Sequence, residues 1–290
     1  FENNLMIRED FLYFPNQNVF MSPTDISSRI GYFDDNFRNT KALFINGVDS
    51  GDGVEGLAEV AEIPALKASQ NKSELLIDWH LAADNELGEI AVTHVLWGMQ
   101  GGYIQTISKY VAEDDFDKFK KSISESLYGG VEFKEHIVEN LEPVNFPGKP
   151  LTVKTLFSDE AYTEPGSSST IVKLGEIIGP QTEMYLTDSV RHLPVHHGFP
   201  RSYDRTIKVF VPEGYTLKNL ETLAMDIQSS QDEPLMGFVS TYTYKNNLLE
   251  IDIKEWYELG DYPVEMFDVY RRIVNAAADF NKKYVVLEAK

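Results

Sequence analysis

The chain has 290 residues, 46 acidic against 26 basic, for a formal charge of −20 at neutral pH. That field repels phosphate backbones and anionic lipid, so no nucleic-acid or membrane-surface partner is expected, and no apolar run approaches the roughly 20 residues that span a bilayer. Cysteine is absent, which excludes disulfides, thiolate metal sites and a cysteine nucleophile within these residues. No basic-then-apolar leader is read at Phe1, so any signal segment is expected to have been removed or never to have been part of this sequence.

Leu5–Ile7, Phe11–Phe14 and Val19–Met21 read as short strands broken by Pro15-Asn16. Lys41–Asn46 and Leu57–Ile63 predict a strand pair around the acidic run Asp49–Glu55. An EF-hand loop needs oxygen ligands at its first, third and fifth positions. Counted from Asp49 these hold Asp49, Gly51 and Gly53, so the run predicts a solvated turn and no metal site. Ser73–Leu81 and Glu89–Trp97 alternate next, with Leu75, Ile77, Trp79 and Leu81 on one face and Asp84-Asn85 and Gly88 between the strands.

The period then lengthens. Tyr103, Ile107, Tyr110 and Val111 fit one helical stripe. Phe116, Phe119, Ile123 and Leu127 fit a second, with Asp114 or Asp115 as N-cap and Gly129-Gly130 as the stop. Val131–Glu139 and Leu151–Phe157 return as strands across the proline-rich crossing Glu142–Pro150. Glu164–Thr170 reads as a flexible loop, which places a module boundary near Ser158–Thr170.

Beyond it, Ile207, Val209 and Val211 occupy alternate positions, and Leu235–Tyr244 and Leu248–Tyr257 flank Asn246-Asn247. That pair tolerates positive φ and predicts a tight hairpin turn. Phe238, Ser240, Tyr242 and Tyr244 share one face of the first arm; Leu249, Ile251 and Ile253 share one face of the second. Pro263–Phe280 predicts a final helix with Phe267, Tyr270, Ile273, Val274, Ala277 and Phe280 inward, and Tyr284–Leu287 a closing strand. The pattern is α+β and mostly β: antiparallel sheets in β-sandwich-like modules with a few helices, one of them near the C-terminus. It divides as N-terminal strands over 1–45, an antiparallel sheet with two helices over 46–160, and a sandwich-like module ending in helix and strand over 161–290.

Few constellations suggest chemistry. His192 and His196 have the spacing of a helical metal pair, but Pro194 between them disrupts a helix. His196 and His197 are adjacent, so on an extended strand they point to opposite faces; the two remain weak ligand-binding candidates on a polar edge strand, Leu193–Arg201. His80 and His94 are placed on wet strand faces, where they could oppose each other. No Gly-x-Ser-x-Gly elbow is present, and Gly98–Gly102 lacks the lysine of a phosphate loop and reads as a bend. Trp97 and Tyr103 are weak candidates for stacking against sugar faces, with core packing the default for such aromatics. No residue stands out as catalytic, and no metal or cofactor is expected.

Phe20-Met21-Ser22-Pro23-Thr24-Asp25, Gly31-Tyr32-Phe33 and Lys41-Ala42-Leu43-Phe44-Ile45, in that order, resemble the end of the transglutaminase-like core of certain exported bacterial proteins. The likeness continues through Pro194-Val195, Gly198-Phe199-Pro200, Val211-Pro212-Glu213-Gly214-Tyr215 and Asp261-Tyr262-Pro263, and so covers nearly the whole chain. In those proteins the core lies between two domains of unknown function. The resemblance implies that 1–45 is the tail of such a core, that the chain is exported to the periplasm or cell surface, and that the complete core uses a Cys–His–Asp triad. The cysteine and histidine would precede Phe1, and the aspartate position aligns with Ser22, a degenerate triad residue that brings no charge to an imidazolium. The expectation is a non-catalytic accessory or binding region, with a protein or glycan partner possible. The alternatives are a fragment of a papain-like cysteine hydrolase or acyltransferase whose nucleophile lies upstream, and a carbohydrate-binding module.

Overall fold

The computed structural model describes residues 10–290 except 35, 36, 39, 50, 52, 84, 85 and 186–190; the expected strand Leu5–Ile7 and the turn Asp84-Asn85 lie outside the described residues. Two hairpins come first, β1 (Leu12–Phe14) with β2 (Val19–Met21) and β3 (Lys41–Asp49) with β4 (Val54–Glu62). Phe20, Phe33 and Ile63 form a small core beneath them. β5 (Lys72–His80) and β6 (Glu89–Leu96) follow, then α1 (Met99–Ile107), α2 (Phe116–Leu127), β7 (Phe133–Glu139) and β8 (Leu151–Ser158). β9 (Thr163–Pro165), β10 (Ser169–Val172), β11 (Val195–His196), β12 (Arg201–Phe210), β13 (Tyr215–Lys218) and β14 (Met225–Gln228) come next. β15 (Met236–Lys245), β16 (Leu248–Tyr257), β17 (Asp261–Tyr262), α3 (Phe267–Asn281) and β18 (Val285–Ala289) complete the chain.

The fold is mostly β, as the alternation predicts. Its frame is an eight-stranded sheet in the order β14-β15-β16-β12-β5-β6-β8-β7. β12 is its hub, antiparallel to β16 on one side and parallel to β5 on the other. The sheet therefore runs across the Ser158–Thr170 segment and joins strands from both sides of it, while residue 45 falls inside β3. A four-stranded sheet, β13-β18-β10-β9, and α3 share one core with the large sheet. Phe280 of α3 lies 6.0 Å from Phe238 of β15, ring centre to ring centre. The hairpin turn at Asn246 and Asn247 has φ of 54° and 59°, the left-handed pair that such a turn demands.

Two local expectations are corrected. Tyr103 and Tyr110 do not face inward; both are exposed, and α1 buries Gly101, Gly102, Gln105 and Thr106 instead. The reason is closeness: a Cβ at Gly102 would overlap the Phe146 ring, so this helix lies too near its neighbours to seat large residues. Glu164–Thr170 is not a linker. Glu164 and Pro165 end β9, Ser169 and Thr170 begin β10, and the tight turn between them is closed by the Gly166 N–H donating to Ser169 O at 2.8 Å.

Candidate functional site

The inward face of the large sheet changes character along the strands. On β12, Ile207 and Val209 are buried and apolar, and the same phase continues as Arg205, Tyr203 and Arg201. On β16, Leu249, Ile251 and Ile253 give way in phase to Glu255 and Tyr257. Pairing sets these residues side by side: Arg205 lies between Leu75 and Ile253, Tyr203 between Ser73 and Glu255, and His94 across from Leu75. One end of an apolar sheet face is thus polar. Over that end the C-terminal turn of α2, the segment 178–184 and α3 leave a cavity of about 550 Å³.

The cavity floor holds a buried ion pair. Arg205 Nη2 is 2.9 Å from Glu255 Oε2, with the side chains only 6% and 7% exposed, and Tyr257 Oη donates to Glu255 Oε1 at 3.0 Å. Burial first, and then that carboxylate, push the Tyr257 phenol well above its usual range. His94 Nε2 is 2.7 Å from Ser73 Oγ, and His197 Nδ1 is 3.0 Å from Tyr270 Oη. Several buried polar atoms of these lining residues have no hydrogen-bond partner: Arg205 Nη1, Arg201 Nε, His94 Nδ1, His197 Nε2 and Glu255 Oε2, the last meeting Arg205 only as an ion pair. Native interiors leave few such atoms unpaired, and these gather around one cavity.

Ser73 and His94 have the spacing of a nucleophile and its base. Two features argue against that use. Burial, assisted by the Arg205 charge, lowers the His94 pKa to about 4, which makes it a weak base at neutral pH. No carboxylate orients its ring, since Nδ1 is unpartnered.

Burial, followed by the charges of Arg201 and His196, lowers His197 to about 3. Both imidazoles are neutral in the fold near pH 7, while an unfolded histidine takes up a proton below 6.5. The folded values are depressed, so this contribution to stability is full above pH 6.5 and is lost as the pH falls toward 4. Urea unfolding at pH 7.5, 6 and 5 is expected to show a decline that the double variant His94→Gln/His197→Gln flattens.

Of the candidates read from the sequence, His197 and His196 line this cavity. The expected strand Leu193–Arg201 is not continuous, since β11 ends at His196, yet the two histidines diverge: His197 lies against Tyr257 and Tyr270 and His196 turns outward to Asp261, 2.7 Å away. His196 also borders a second cavity of about 500 Å³ that Tyr103 shares with Phe146 and Phe199. Trp97 is not among that lining; its indole N–H donates to Glu74 at 3.3 Å. Ser22 is buried in a turn after β2, where its hydroxyl accepts the Asp25 N–H at 3.2 Å. His80 and His94 do not oppose each other: His80 stacks on Phe210 and pairs with Glu89, whereas His94 shares the inward phase of Ile90 and Val92. Arg201, Arg205, Glu255 and Ser73 carry the site and were not singled out from the sequence. The signal for them is strand phase, a polar residue standing where an apolar series should continue. No family model matches the chain, and no curated protein matches it.

Proposed function

We propose that the chain is a non-catalytic accessory and binding region of an exported, transglutaminase-like protein, acting at the periplasm or cell surface. The resemblance of the ordered motifs from Phe20 to Pro263 supports the origin. One observation supports binding: unpaired buried nitrogens of Arg201, Arg205, His94 and His197 surround a single cavity. Buried polar atoms gathered in this way suit holding a ligand, because groups left unmatched cost free energy that a bound hydrogen-bonding partner recovers. The absence of cysteine and the weak basicity of His94 both count against acyl transfer by this chain itself.

The test is turnover. Purified protein incubated with p-nitrophenyl acetate and with a peptide amide is expected to match its Ser73→Ala variant, both at the uncatalysed rate. Hydrolysis by the unaltered chain that disappears in Ser73→Ala would replace the binding reading with a serine hydrolase.

A further inference from the structure

We infer that the cavity beneath α3 takes a small organic monocarboxylate, its carboxylate at Arg201 and its apolar body along the tyrosines toward the Arg205–Glu255 pair. This rests on the binding reading above and adds the charge and shape of the ligand.

The charge follows from what is already paired. Arg205 is largely neutralised by Glu255 at 2.9 Å. Arg191, at the cavity rim, donates to the carbonyls of Leu193 and Pro194 and lies over the Phe267 ring. Among the described residues no carboxylate pairs with Arg201, whose guanidinium is 5.3 Å from the Phe199 ring and whose Nε is unpartnered. His197 and Tyr270 beside it are neutral at pH 7. Among the described residues Arg201 is the lining guanidinium held by neither a carboxylate nor a carbonyl, and its planar fork matches one carboxylate; Arg191 also lacks a counter-charge but is tied to two carbonyls, which makes inorganic phosphate the competing arm of the test. The chain as a whole is strongly acidic, so a cationic pocket runs against its general field, and local pairing must supply the attraction.

The shape follows from the strand. Arg201 and Arg205 are four residues apart on one face of β12, about 13 Å along the backbone. Both guanidinium-bearing side chains line the cavity, so it has two polar poles, and Tyr203, Tyr257 and Val274 line it as well, with a volume that admits a ring-bearing acid. The far pole offers Arg205 Nη1 and the Ser73–His94 pair to a neutral hydrogen-bonding group.

Calorimetric titration would use benzoate, 3-phenylpropanoate and 3-(4-hydroxyphenyl)propanoate, each beside its methyl ester, with inorganic phosphate as a separate arm. The best acid is expected to bind at least about tenfold more tightly than its ester, the scale of one charge-assisted hydrogen bond. Arg201→Gln should bring acid and ester to parity, and Arg201→Lys, which keeps the charge, should restore part of the preference. An ester that binds as well as its acid overturns the carboxylate assignment and leaves the binding reading standing. Phosphate bound more tightly than every acid overturns it too, in favour of a dianion. If no acid or ester binds at all, the carboxylate assignment fails, while the binding reading is decided separately by the turnover test.

Discussion

Glu255→Leu is expected to cost about 3–5 kcal/mol of folding stability, one of the two largest single losses anticipated in this chain. The carboxylate and the Arg205 guanidinium are both almost wholly buried, so deleting one strands the other away from water. Leaving the charge unmatched costs more than the pair contributes, because transfer from water is only offset while the partner is present. The double variant Arg205→Met/Glu255→Leu is accordingly expected to regain most of the loss. Denaturant unfolding of both singles and the double closes the cycle. A Glu255→Leu loss below about 1 kcal/mol would mean that water reaches Arg205 and that its Nη1 is not held in reserve for a ligand.

That ion pair also shows how far the fold and the site were legible in the sequence. Alternation identified the sheet strands, and Asn246-Asn247 identified a turn whose φ values are both positive. The helical stripe through Phe267, Tyr270, Ile273 and Phe280 is buried as its spacing predicts. Pairing order was not legible. That β5 should lie parallel to β12, some 130 residues later, depends on which strands meet in space, and no local pattern states it. The site was half legible for the same reason. The inward series Leu249, Ile251, Ile253 extends to Glu255 and Tyr257, and Ile207, Val209 extends back to Arg205 and Arg201. Each extension is visible as phase, yet Arg205 and Glu255 become a pair only once β12 and β16 are known to be neighbours. His94 was misassigned because a polar side chain suggested a wet face, although its phase with Ile90 and Val92 places it inside.

Aspartate substitutions on the helices should rank by surroundings as well as by depth. Phe280→Asp is expected to be the most damaging, at about 3–5 kcal/mol for the lost ring alone and more for the charge. Phe280 is fully buried and packs against Phe238, and among the described residues no cation lies over its ring, in contrast to Phe267. Phe267→Asp should cost less despite similar burial, because the Arg191 guanidinium 5.4 Å from the present ring offers the new carboxylate a partner. Phe119→Asp should cost least of the three, since α2 leaves Phe119 half-buried beside the small second core. Urea midpoints of the three variants, compared at one pH, measure the order directly. If Phe267→Asp proved as costly as Phe280→Asp, Arg191 would be held too firmly by the carbonyls of Leu193 and Pro194 to turn, and its place at the cavity rim would be fixed rather than responsive.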